Sequence, residues 1–188
     1  MNTNITGIRW HGRGGQGAIT AAKIVAQAAF VSGYHGVVMA SSFGTERRGA
    51  PVLTSLKISR GKIYDLTAIE EPDIVVVLDH LLLTEIDVLN GLRPGGRIVL
   101  NTPHPLEKYC MNGNSLAVAD VTALSVQAGL AHGMVNAGII GLLARCIPAI
   151  PFELMLSCIE AEFRDRKPQA NATAARLAYE RALLKERR

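Results

Sequence analysis

A segment of strand character from Ile5 to His11 breaks at Gly12-Arg13-Gly14-Gly15-Gln16-Gly17, and a helical pattern begins directly afterwards at Ala18. Ala21, Ile24, Val25 and Ala28 recur at the spacing of one helix face, and Gly33 stops the helix. Gly36 to Ala40 then reads as a second strand. Strand, glycine turn, helix and strand make a Rossmann-like βαβ start. This predicts an α/β fold with a mostly parallel sheet and helices on both faces, because short helices rich in small residues need apolar strands to pack on.

The rest of the chain keeps that rhythm after one excursion. Pro51 to Ser59 alternates weakly and turns at Arg60-Gly61-Lys62 into Ile63-Tyr64-Asp65, which predicts a β-hairpin. Asp73 to Asp79 is a buried strand by its Ile-Val-Val-Val-Leu centre, with a helix expected over Leu81 to Asn90. Arg93-Pro94-Gly95-Gly96 turns the chain into a strand at Arg97 to Asn101. A last strand is expected at Ser115 to Ala119, then a helix toward Ala131 capped by Asp120. A buried helix follows at Asn136 to Cys146. Pro151 is expected at the first position of a helix whose apolar stripe is Phe152, Met155, Leu156, Ile159 and Phe163. A final helix is expected over Asn171 to Glu186. No repeat or linker interrupts the chain, so one domain spanning 1–188 is expected.

Gly12, Gly14 and Gly17 satisfy G-x-G-x-x-G in the strand-turn-helix context that gives the motif its meaning. In that context Gly12 allows a tight turn, Gly14 the close approach of an anion, and Gly17 close packing of helix on sheet. Two features depart from a dinucleotide fingerprint: the extra Gly15 with polar Gln16, and the lack of any acid before Glu46 to hold a ribose hydroxyl. A tight turn needing glycine only for packing is the bland alternative. The loop from Ser41 to Pro51 should lie beside the glycine turn, at the carboxyl ends of the strands. Its Arg47 and Arg48 are suited to a phosphate or a carboxylate, or else are solvated surface charge. Gly12, Arg13, Gly14, Gly15, Gln16, Gly17, Arg47 and Arg48 are therefore the candidate binding residues.

Other chemistry is thin. His11, His35, His80, His104 and His132 are scattered without a metal-ligand pair, and Asp79 beside His80 reads best as a helix cap. Cys110, Cys146 and Cys158 are one short of the four thiolates of an iron–sulfur cluster. The net charge of +4 comes from an acid-free stretch over residues 1–45 and a basic C-terminal end, while residues 46–175 hold 12 bases against 14 acids. Without stacking aromatics near those bases, nucleic acid is not the expected partner. No apolar run reaches the length of a membrane span, and Met1 to Asn4 has no signal-peptide character, so a cytoplasmic address is expected.

Three segments together carry a resemblance: Trp10 to Thr20, Phe43 to Val52, and Glu71 to Asp79. In order they are similar to the gamma subunit of the 2-oxoacid:acceptor oxidoreductases, and Asn101, Asn136 and Asn171 resemble its recurring asparagines. Met134-Val135 departs from it where a proline is expected. The resemblance implies an enzyme that oxidatively decarboxylates a 2-oxoacid to an acyl-CoA and passes electrons to ferredoxin. It also implies that thiamine diphosphate, Mg²⁺ and [4Fe-4S] clusters sit on partner alpha, beta and ferredoxin-like delta subunits. Catalytic residues are then not expected in this chain, which scaffolds the complex and borders a coenzyme A site through Arg13, Arg47 and Arg48. A stand-alone NAD(P)-binding dehydrogenase and a purely structural subunit are the alternatives.

Overall fold

The computed structural model describes residues 5–41, 48–109 and 113–186. Among them is a seven-stranded sheet in the order β2-β3-β1-β4-β5-β6-β7. The strands are β1 (Thr6–Arg13), β2 (Gly36–Ser41), β3 (Pro51–Ser59), β4 (Ile74–Val77), β5 (Arg97–Asn101), β6 (Ser115–Ala119) and β7 (Leu183–Lys185). β1, β4, β5 and β6 are parallel neighbours, whereas β3 is antiparallel to both β1 and β2, and β7 is antiparallel to β6. Five strands thus share one direction, as a mostly parallel α/β sheet requires.

The helices are α1 (Ala18–Val31), α2 (Leu82–Glu85), α3 (Val121–Gln127), α4 (Asn136–Ala144), α5 (Phe152–Glu162) and α6 (Pro168–Glu180). They are unevenly shared between the two faces. Ile8, Trp10, Leu56, Ile58, Val76, Val99 and Ala117 form one core with α1 and α3 to α6. On the opposite face Val75, Val77, Ile98, Leu100, Leu116 and Val118 are covered by Leu82 of the one-turn α2, by the loop residues Val88 and Leu89, and by Leu106. Helices on both faces, as expected, therefore holds among the described residues through α2 and the 3-10 turn at Leu106–Lys108.

Five expectations are corrected. The β1-α1-β2 start is not a plain βαβ unit, because β3 is inserted between its two strands. The hairpin partner of Pro51–Ser59 is Gly36–Ser41, from Gly36 opposite Ser59 to Ser41 opposite Thr54, and residues 63–65 are not a strand. Lys57, buried on β3, instead anchors that segment by donating to the Asp65 carboxylate at 2.6 Å. The helix expected over Leu81 to Asn90 ends at Glu85, where Ile86 turns extended with φ −141°. α6 stops at Glu180, and Leu183–Lys185 pairs along β6 as a further strand. Pro151 caps α5 from an extended conformation rather than starting it, at φ −57° and ψ 132°. The buried α4, the Asp120 cap on Ala123 N–H and the strands β5 and β6 stand as read.

Candidate functional site

Strand order reverses its sense of travel beside β1: the chain leaves β1 through α1 toward β2, and later continues from β4 in the opposite direction through β5 and β6. In open α/β sheets the crevice at the carboxyl ends of strands beside such a reversal is the usual ligand position. Here that crevice is bounded by the glycine turn after β1 and the Leu78 to Leu81 turn after β4. A cavity of about 570 Å³ opens there, with Gln16, Asp79, His80, Asn101, Asp120 and His132 in its lining. A second cavity of about 320 Å³ lies on the other side of the turn and is lined by Arg13, Gly14, Gly15, Gly17 and Arg48.

The glycine turn is built from its own hydrogen bonds. Gly12 remains inside β1, and the reversal is made by Gly15, at φ +95°. Gln16 folds back so that its Oε1 accepts from Arg13 N–H at 2.8 Å, while Gln16 N–H donates to the Arg13 carbonyl at 2.9 Å. Gly17 precedes α1 at φ +78°, and a Cβ there would come within 2.7 Å of Asn136 Nδ2. Asn136 opens the wholly buried α4, so this glycine lets a second helix close against the turn. Gly14 N–H donates to the Ala50 carbonyl at 2.9 Å, and Gly49 N–H donates back to the Gly14 carbonyl at 3.2 Å. The turn and residues 49–50 are thereby one backbone unit.

The candidate residues fall into three groups. Arg13, Gly14, Gly15, Gly17 and Arg48 come together around the smaller cavity, with Arg48 exposed, whereas Gln16 lines the larger one and Gly12 stays inside β1. Arg47 lies outside the described residues. Arg13 turns toward carboxylates: Nε donates to Asp79 Oδ2 at 2.7 Å and Nη1 to Glu85 Oε2 at 3.0 Å. Glu85 and Asp79 hold this guanidinium well above its ordinary value. Burial opposes the charge on Asp79, but the Arg13 side chain and the Leu81 N–H outweigh it and keep the carboxyl below its usual range. Asp79 therefore caps the following turn, as read from the sequence, and also carries an ion pair to β1.

Sequence reasoning missed the larger cavity's polar floor as a group. Asn101 Nδ2 donates to the Leu78 carbonyl at 2.8 Å and to Thr122 Oγ1 at 3.0 Å, joining the ends of β4, β5 and α3. His80 and His104 meet edge to face at 5.1 Å, and burial pulls His80 below its ordinary value. The available signal was position: Asn101 ends a strand of the parallel run, and Asp79 and Asp120 each come just after one.

Residues 7–181 match the pyruvate ferredoxin/flavodoxin oxidoreductase family. The chain belongs to this family. It is similar to the pyruvate/ketoisovalerate oxidoreductases common subunit gamma of Thermococcus litoralis, 40% identical over 95% of this chain and 98% of that one. It is also similar to the NADH-dependent phenylglyoxylate dehydrogenase subunit gamma of Aromatoleum evansii, 33% identical over 92% and 91% of the two chains. The crystal structure of pyruvate oxidoreductase subunit PORC of Thermotoga maritima superposes with a TM-score of 0.83 at 33% identity, covering 97% of this chain and 99% of that one. The chain is thus a gamma-type oxidoreductase subunit, and a stand-alone nicotinamide dehydrogenase is set aside.

The family's cofactors can be tested against the donors present. A [4Fe-4S] cluster needs four thiolates, and the sequence has three cysteines. Cys146 is buried, and burial pushes its thiol up to about 11. Among the described residues no group of three His, Cys, Asp or Glu side chains is placed to hold a metal ion, and Asp79 is committed to Arg13. Neither a cluster nor the Mg²⁺ of thiamine diphosphate fits these side chains. Among the described residues no helix is long and apolar enough to cross a membrane.

Proposed function

We propose that this chain is the shared, non-catalytic subunit of a cytoplasmic 2-oxoacid:ferredoxin oxidoreductase, and that its strand-end face borders the place where coenzyme A enters. Thiamine diphosphate, Mg²⁺ and the [4Fe-4S] clusters are then carried by alpha, beta and ferredoxin-like delta partners, and ferredoxin takes the electrons. One observation carries the reading. A relative 40% identical over almost its whole length is a subunit common to a pyruvate and a ketoisovalerate oxidoreductase. A chain common to enzymes of two different 2-oxoacids is not the part that selects the acid, so selection and carbonyl chemistry belong to its partners.

The supporting geometry is the exposed Arg48 over the smaller cavity, beside the turn formed by Gly12, Arg13, Gly14, Gly15, Gln16 and Gly17. With Arg47 it supplies cationic donors for coenzyme A phosphates. Each charge-assisted hydrogen bond is worth about 1.5–3 kcal/mol, so losing both arginines should weaken binding about tenfold or more. Tagged chain should co-purify with larger thiamine-binding and cluster-binding chains, and alone it should turn over no 2-oxoacid. In the reconstituted complex, Arg47→Ala with Arg48→Ala should raise the KM for coenzyme A about tenfold while gel filtration shows intact assembly. Loss of partner chains with unchanged coenzyme A dependence would instead make the loop a subunit contact. A solitary, active homo-oligomer would overturn the reading.

A further inference from the structure

Arg13 is the last residue of β1, and its side chain holds three segments that are distant in sequence. Nε reaches Asp79 in the turn after β4, while Nη1 and Nη2 make a bidentate pair with Glu85 at the end of α2. Nη1 also donates to the Gly49 carbonyl at 3.2 Å, at the foot of the loop that carries Arg48. Beneath the side chain, the Gly14 and Gly49 amides tie the same foot to the glycine turn. A planar guanidinium with five donors suits this work, because it can meet two carboxylates and a carbonyl at once in fixed directions. An arginine awaiting a phosphate would present unspent donors toward a cavity. Here two carboxylates already balance the charge, and an incoming anion would have to displace one of them.

We propose that Arg13 is a positioning residue: its clamp with Asp79 and Glu85 holds residues 48–50 against the glycine turn and so sets where Arg48 stands over the smaller cavity. Arg13 does not take the anion itself. Asp79, which the sequence marks only as a helix cap, and Glu85, which no motif marks at all, become parts of the same device. This inference rests on the reading that the arginine loop borders coenzyme A.

The reconstituted complex tests it with Arg13→Ala, Glu85→Gln and Arg48→Ala, each assayed for the KM for coenzyme A and for kcat at saturation. Glu85→Gln keeps the side-chain volume and removes one charge of the clamp. A clamp requires Arg13→Ala and Glu85→Gln to raise the KM in the same direction, about fivefold, with kcat changed by less than about twofold. Arg13→Lys, which can meet one carboxylate but cannot span both, should recover only part of the loss. Direct anion binding by Arg13 gives the opposite pattern: Glu85→Gln frees the guanidinium and leaves the KM unchanged or lower, and that result overturns the proposal. If Arg48→Ala leaves the KM unchanged, the coenzyme A reading has failed by itself. Amide hydrogen exchange then decides the clamp, since Glu85→Gln must speed exchange at Gly14 and Gly49. Wild-type protection at those two amides would overturn it.

Discussion

Arg9 and His11 share the loop-covered face of β1, and both are buried. Among the described residues Arg9 makes no ion pair; it donates to the carbonyls of Glu70, Val88 and Asn90 and to His11 Nε2. Because His11 Nε2 accepts, its proton sits on Nδ1, and the ring is neutral. Burial first, and the Arg9 charge second, pull His11 from 6.5 down to about 4. Between those values the unfolded chain takes up a proton that the folded chain refuses, so stability is lost as pH falls through that window. The full loss is about 3 kcal/mol, since each tenfold change in proton affinity is worth about 1.4 kcal/mol. Chemical denaturation at pH 7 and pH 4.5 should show a steeper fall for the wild type than for His11→Gln, which keeps an acceptor for Arg9 without the titrating proton. Equal slopes would refute it. The contrast with Arg13 marks what residue types can say. Charge was legible at both arginines, but their partners were not, since Asp79 and Glu85 lie 66 and 72 residues beyond Arg13.

Among the elements, α4 is the one whose sequence and packing agree most closely. All nine residues are buried, and its two glycines face other elements closely, Gly141 a backbone and Gly138 a side chain. A Cβ on Gly141 would fall 1.9 Å from the Ala175 carbonyl oxygen of α6, and one on Gly138 would fall 2.5 Å from Val121 Cγ1 of α3. Gly141→Ala gains up to about 1 kcal/mol of helix propensity, yet the clash is with backbone and no rotamer relieves it. Urea denaturation should show a net loss of about 2 kcal/mol, and an unchanged midpoint with unchanged slope would contradict the close approach. Elements whose identity rests on their own period, such as α1, β5, β6 and α4, were legible in the sequence. Those defined by a partner were not. Pro51–Ser59 looked for its hairpin mate in the nearby Ile63-Tyr64-Asp65, whereas the ladder closed on Gly36–Ser41, where six residues pair in unbroken register. The stretch after Leu81 carries helical spacing, but Val88 is drawn onto the sheet face by Leu82 and Ile98, and the helix is given up after one turn.

Over the whole molecule, the two cavities at the strand ends depend on β1 standing in the middle of the sheet, with β3 and β4 on either side. The order of strands was the least legible property, because neither periodicity nor turn chemistry encodes which strand inserts between which. The edges follow from that order. β7 is a three-residue strand with Leu183 and Leu184 exposed, and it covers the backbone edge of the buried β6. A version ending at Arg181 would leave the apolar β6 with an open row of donors and acceptors, the arrangement that seeds sheet-to-sheet association. Light scattering at matched concentration should show that version aggregating where the longer chain stays dispersed; identical traces would mean β7 protects nothing.

The position of β7 in the chain also orders events in time. Synthesis proceeds from the N-terminus, so β1, the central strand, leaves the ribosome before the other six described strands, and β3 and β4 can join it while β5 to β7 are still being translated. The strand that shields β6 comes after all of α1 to α6. Between the synthesis of β6 and that of β7 the nascent sheet therefore carries an unprotected margin on its β6 side, which closes only when β7 emerges. Chaperone occupancy in ribosome-bound intermediates should concentrate there.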